Sequence, residues 1–102
     1  MSIRKQYLKS KPICKVTFRF SKEANGGAKH INIVGEFNKW NTDATPMKRF
    51  KNGSFSTTLY LDLNSKYQFR YLIDGMNWSN DLDADSFVYC PYGNCENSVV
   101  VT

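Results

Sequence analysis

The sequence predicts an all-β chain folded as a two-sheet β-sandwich. Apolar and polar residues alternate with period 2 nearly throughout, turn-forming dipeptides separate the alternating runs at short intervals, and no stretch carries a 3.6-residue apolar period. The chain has 102 residues, room for one domain around a single modest core. Aromatic residues make up 15% of it and are spread along its length, so many of them must fill that core.

Each strand follows from its own pattern. In Cys14-Lys-Val-Thr-Phe-Arg-Phe20, Cys14, Val16, Phe18 and Phe20 alternate with Lys15, Thr17 and Arg19, which describes a half-buried strand. Ile31 and Ile33 alternate with His30 and Asn32. Phe55, Thr57, Leu59 and Leu61 oppose Ser54, Ser56, Thr58 and Tyr60, while Tyr67, Phe69, Tyr71 and Ile73 oppose Gln68, Arg70, Leu72 and Asp74. Strands near 86–90 and 97–102 bring the set to about seven, the number of an immunoglobulin-like sandwich. Between the runs stand Asn25-Gly26-Gly27, Asn52-Gly53, Asn64-Ser65, Asp74-Gly75 and Tyr92-Gly93-Asn94, residue types that tolerate the backbone of tight turns. The one boundary falls near Lys11-Pro12. Residues 1–11 read as a solvated basic arm and 12–102 as the sandwich.

The formal net charge of +5 belongs to the start of the chain. Arg4, Lys5, Lys9, Lys11 and Lys15 precede every acidic residue, and from Val16 onward nine Lys and Arg are matched by nine Asp and Glu. A neutral body suits an uncharged ligand and disfavours nucleic acid, with phosphate, RNA or acidic protein left as minority partners for the arm. No apolar run of signal-peptide or membrane-span length occurs, so a cytoplasmic protein with no membrane partner is expected. Three cysteines spell no complete disulfide framework, and reduced thiols are expected, although a Cys90–Cys95 bridge is geometrically open.

Catalysis lacks convergent groups in this sequence. The lone His30 has no paired nucleophile and reads as a solvent-facing residue. Asp81-Leu-Asp-Ala-Asp85 begins like a calcium loop but has Ser86 where Gly is needed and Tyr92 where Glu is needed, so a solvated acidic turn is expected. No metal, no cofactor and no enzymatic activity are therefore expected.

Two tryptophans carry the functional signal. Trp40 in Gly35-Glu-Phe-Asn-Lys-Trp-Asn41 and Trp78 in Asp74-Gly-Met-Asn-Trp-Ser-Asn80 stand in polar, Asn- and Gly-rich sequence after strand ends, not in apolar runs. Neighbouring loops at one end of the sandwich could present both indoles together. An indole face stacks on the C–H face of a sugar ring while polar groups bind the hydroxyl rim. Arg70, out of the core phase of its strand, supplies such a group, and Asn38, Asn41, Asn77 and Asn94 add amides. The structural alternative is that the indoles cap the open end of the core.

Val34-Gly-Glu-Phe-Asn-Lys-Trp-Asn41, Pro46-Met47, Asn52-Gly-Ser-Phe55, Tyr67-Gln-Phe-Arg-Tyr-Leu-Ile-Asp-Gly75, Trp78, Asn80-Asp81, Gly93 and Asn97-Ser-Val-Val100 occur in order. Over residues 12–102 the chain resembles the isoamylase-type early-set domain. This is carbohydrate-binding module family 48, which includes the glycogen-binding domain of AMP-activated kinase β subunits. The resemblance implies an immunoglobulin-like β-sandwich that binds α-1,4/α-1,6-glucan: glycogen, starch or maltooligosaccharide. It implies that Trp40 and Trp78 stack on glucose rings, that Arg70 binds hydroxyls, and that Tyr92, Asn94 and Glu96 contribute from the loop before the last strand. Glu96 departs from the amide expected at its place. A module standing alone implies non-catalytic glucan recognition, in an adaptor that brings a partner protein to glycogen. The alternative is a protein-interaction module that keeps the fold without the sugar.

Overall fold

A computed structural model describes residues 2–90 and 95–102. The elements in order are β1 (Ser2–Tyr7), β2 (Ile13–Phe20), a four-residue turn of helix α1 (Lys22–Asn25), β3 (Ile31–Gly35), a 3-10 turn (Glu36–Asn38), β4 (Lys48–Arg49), β5 (Phe55–Asp62), β6 (Lys66–Ile73), β7 (Asn77–Ser79), β8 (Ser86–Tyr89) and β9 (Glu96–Val101). One sheet runs β1-β2-β5-β4. The other runs β3-β6-β9-β8, with β7 paired to β6 beyond the end of β9. Every pairing is antiparallel. The chain is an all-β sandwich, as its alternation predicts.

The core lies between the inner faces. Cys14, Val16, Phe18 and Phe20 of β2 meet Ile31 and Ile33 of β3 and Phe69 and Tyr71 of β6, all buried. The Phe18 and Phe69 rings meet edge to face with centroids 5.2 Å apart, and Phe20 meets Tyr71 at 5.0 Å. The alternation that names the inner residues of β6 also names the outer ones. Gln68, Arg70 and Leu72 must point away from the core.

Three short or charged strands escaped the sequence reading. Ser2–Tyr7, expected to be an arm, pairs residue for residue with β2 from Ser2 opposite Arg19 to Tyr7 opposite Cys14. Ile3 packs against the core, but Lys5 occupies the next inward position and breaks the apolar alternation. It reaches across the open side of the sandwich to Asp85, Nζ to Oδ2 2.7 Å. An inward lysine on an edge strand also discourages edge-to-edge pairing. β4 and β7 are two and three residues long, too short for a period to show.

Two further expectations are corrected. Asp81 is fully buried rather than part of a solvated turn: its carboxylate accepts the Tyr71 hydroxyl at 2.6 Å and its N–H donates to Ser98 Oγ at 2.9 Å. Cys90 and Cys95 are bonded as a disulfide with Cα atoms 5.6 Å apart, and Cys14 alone is a free, buried thiol.

Candidate functional site

The segment that carries Trp40 is fixed one residue at a time. Gly35 ends β3 opposite Phe69, where a Cβ would stand 2.5 Å from the Gln68 carbonyl oxygen and 2.6 Å from Phe69 Cβ, so only glycine fits. Glu36 follows and accepts the Gln68 N–H at Oε1, 2.6 Å, holding the turn against β6. Phe37 places its ring within 6.2 Å of those of Phe18, Tyr67 and Phe69. Asn38 turns its amide inward: Oδ1 accepts Gly35 N–H, and Nδ2 donates to Ile33 O and Thr45 Oγ1, each at 3.0 Å. That amide is structural and is withdrawn from the set of ligand contacts.

Lys39 and Trp40 then adopt the left-handed region in succession, with φ of 57° and 59°. Two such non-glycine residues store strain of order 1–3 kcal/mol each, held by the surrounding bonds, among them Trp40 N–H to Gly35 O at 2.8 Å. The result is an indole left 37% exposed beside the end of β3.

Trp78 is placed differently from the loop expected. Asp74 and Gly75 take φ of 51° and 70° and turn the chain back, so that Asn77, Trp78 and Ser79 form β7 against Ile73, Leu72 and Tyr71. The Asp74 carboxylate accepts the N–H groups of Lys29 and His30 at 2.9 and 2.8 Å, and these bonds draw its pKa below the usual aspartate value. Opposite Leu72, Trp78 shares the outer face with Arg70 and is 43% exposed. The Arg70 guanidinium lies over its ring, 4.9 Å from the centroid. One face of the indole is thereby covered by a cation and its orientation set.

Across the outer face, β3, β6 and β7 lie side by side at the ~4.8 Å spacing of paired strands. Val34 is opposite Arg70 and fully buried despite its outward phase, so side chains cover the sheet at that point. One register step beyond the last β6–β9 pair, Arg70 is level with Asn97. Asn97 Nδ2 donates to Gln68 Oε1 at 3.1 Å, while Asn97 Oδ1 and Arg70 Nε are both buried without a partner among the described residues. Both atoms are closed off from solvent beneath that face.

Arg70 and Trp78 are therefore brought together, and Trp40 is held at the neighbouring strand end rather than in a shared loop cluster at the end of the sandwich. Glu96 is not with them. It stands opposite Tyr89 in the phase of Ser98, which faces Phe69, and so projects from the inner side of the sheet, away from Arg70. Tyr92 and Asn94 lie outside the described residues. Asn77 is exposed and Asn41 Oδ1 accepts Asp43 N–H at 2.9 Å. Gln68 and Asn97 share the outward phase with Arg70, since the alternation that marks Phe69 and Ser98 as inward marks both as outward.

Among the described residues, the buried acid–hydroxyl pair Tyr71 and Asp81 belongs to the fold. Burial first, then the charge and hydrogen bond of Asp81, push the Tyr71 pKa well above that of a free phenol. Its neighbours continue the network, with Ser98 Oγ donating to Asn80 Oδ1 at 2.8 Å and Asn80 Nδ2 to Glu96 O at 2.9 Å. Among the described residues no group of three or more His, Cys, Asp or Glu gathers as a metal site, and no helix is long and apolar enough to cross a membrane.

No curated protein matches the chain. A family model does, over residues 15–102, and its description is the glycogen recognition site of AMP-activated protein kinase. This is a family of non-catalytic carbohydrate-binding domains, and the match runs from within β2 through β9. The chain belongs to the family of glycogen recognition domains typified by AMP-activated protein kinase.

Proposed function

We propose that the protein binds α-glucan without transforming it, on the outer face of β6, with Trp40 and Trp78 as stacking surfaces and Arg70 as their polar partner. The ligands are glycogen- or starch-type chains of α-1,4- and α-1,6-linked glucose and their maltooligosaccharides. The observation that carries this reading is the Arg70–Trp78 contact: a half-exposed indole whose orientation is set by the guanidinium over its ring. Preorganisation of this kind lowers the ordering cost of binding. Tyr92 and Asn94 belong to the proposal through the resemblance, whereas the strand phase of Glu96 turns it away from Arg70. A role as a cytoplasmic adaptor that carries a partner protein to glycogen is part of the same proposal.

Affinity electrophoresis tests it. The protein should be retarded in gels containing glycogen, to nearly the same degree at low and high salt, because the ligand is neutral. Unretarded migration would sink the glucan reading.

A second reading is favoured by one observation. Leu82, Phe87 and Tyr89 stand exposed around an open groove of about 580 Å³ beside the edge strand β8, with Glu96 at its rim. Such a surface suits a protein-interaction module. Recovery of a specific partner by a protein that ignores glycogen, lost on Phe87→Ser, would favour it.

A further inference from the structure

The outer face of the other sheet holds a second, chemically opposite feature. The β1–β2 and β2–β5 registers put Ser2 and Arg4 of β1, Arg19, Thr17 and Lys15 of β2, and Ser56 and Thr58 of β5 on one outward surface, with Lys48 of β4 opposite Ser56. At the end of this face that holds Arg19, a groove of about 390 Å³ is lined by Arg4, Arg19, Thr17, Ser56, Asn52 and Phe50, among others. No carboxylate lines it. The face's one acid in register, Asp62, sits opposite Ile13, six residues or ~20 Å along β2 from Arg19.

Arg4 is paired with Thr17, so Arg19 is its diagonal neighbour, ~7–8 Å away between Cα atoms and within the reach of two guanidinium groups on a single anion. Among the described residues neither arginine forms an ion pair. An anion held between them would be shared by two cations that lack any other charge partner. The remaining polar groups are donors or can serve as donors: the Thr17 and Ser56 hydroxyls, and the Asn52 NH2, since Asn52 Oδ1 already accepts both the N–H and the O–H of Ser54 at 3.0 and 2.7 Å. Phe50, 43% exposed, walls the groove with a ring and carries Lys48 Nζ 5.5 Å from its centroid.

We propose that this groove is a binding site for a phosphate monoester borne on a ring, a sugar phosphate: Arg4 and Arg19 hold the dianion, the hydroxyl and amide donors complete its shell, and the sugar lies against Phe50. A fork of two arginines matches a phosphate better than point charges do, and the ring beside it distinguishes an ester from the free ion. The site lies on the opposite sheet from Trp40, Arg70 and Trp78 and does not depend on the glucan reading.

Amide NMR titrations of the full chain at physiological salt test it, using a hexose phosphate, inorganic phosphate and unphosphorylated glucose. The hexose phosphate should shift the amides of Arg4, Arg19, Asn52 and Ser56 saturably. Inorganic phosphate should shift the same set with weaker affinity, and glucose should leave it unmoved. Arg4→Gln and Arg19→Gln, both at exposed positions, should each keep a folded spectrum and weaken the hexose phosphate about tenfold or more. Trp78→Ala should leave the response intact, and Arg19→Gln should leave retardation by glycogen intact. No saturable shift with either phosphate, or affinity unchanged in both arginine variants, would overturn the site. Equal affinity for inorganic phosphate would overturn the ring-borne ligand. Steeply salt-dependent binding of an oligonucleotide along the whole face, with no hexose phosphate response, would overturn both.

Discussion

The Arg70 guanidinium lies 4.9 Å from the centroid of the Trp78 ring, from one strand of a sheet to the next. Arg70→Met keeps a stem of similar reach but removes the cation. We expect the Trp78 indole resonance to move and broaden, affinity for a maltooligosaccharide to fall about tenfold, and unfolding free energy to change by about 1 kcal/mol or less. Unchanged affinity would show that the contact serves the fold alone.

Trp40 sits at φ 59°, so glycine at that position relieves backbone strain while deleting the indole. Trp40→Gly should unfold within about 1 kcal/mol of the wild type in urea. A loss of about 3–5 kcal/mol would mean that the indole is a core residue.

The long strands were legible because their core phases are unbroken: Cys14 to Phe20 and Tyr67 to Ile73 each name a face without help from the rest of the chain. β1 was hidden because Lys5 occupies an inward position, a choice that makes sense only once Asp85 is seen across the gap. Asp81 reads as polar surface in sequence, and its burial makes sense only with the Tyr71 hydroxyl 2.6 Å from Oδ2 and the Asp83 N–H 2.8 Å from Oδ1. Of the proposed site, Trp40, Arg70 and Trp78 stand out in the sequence, but their arrangement does not, since Asn77-Trp-Ser79 is too short to announce a strand. Motif position points to Glu96 for the proposed site, whereas strand phase turns it to the other face.

Tyr71→Phe removes the hydroxyl and leaves Asp81 Oδ2 buried without it, which should cost about 1–3 kcal/mol of unfolding free energy. The native Tyr71 pKa is raised, so its contribution to stability is complete below the unfolded value near 10. It is lost as pH rises, because the unfolded chain ionises first. Denaturant midpoints measured from pH 8 upward should therefore fall more steeply for the wild type than for Tyr71→Phe above about pH 10. Parallel curves would contradict the buried phenol.

Asp85 answers at the acid end. Burial acts to raise its pKa but is outweighed by the Lys5 ammonium and the Val101 N–H, and the net shift is downward. Its stabilising contribution is present above the unfolded pKa near 3.9 and disappears as pH falls through the lower native value. Lys5→Met should flatten the acid limb of the stability profile below about pH 4. Deleting residues 1–8 should do more, removing Ile3 from the core and baring β2 as an edge. We expect a loss of about 2–4 kcal/mol and concentration-dependent self-association by sedimentation. A truncated chain as stable and monomeric as the full one would return this segment to the status of an arm.

The central claim is that Trp40 and Trp78 form one sugar platform. Calorimetric titration of a maltooligosaccharide into wild type, Trp40→Ala and Trp78→Ala, with thermal unfolding followed in parallel, tests it most directly. We expect a wild-type Kd of about micromolar to millimolar, weakened about tenfold to a hundredfold in each variant while both remain folded. Folded variants that bind as well as the wild type, or a wild type that does not bind at all, would contradict it.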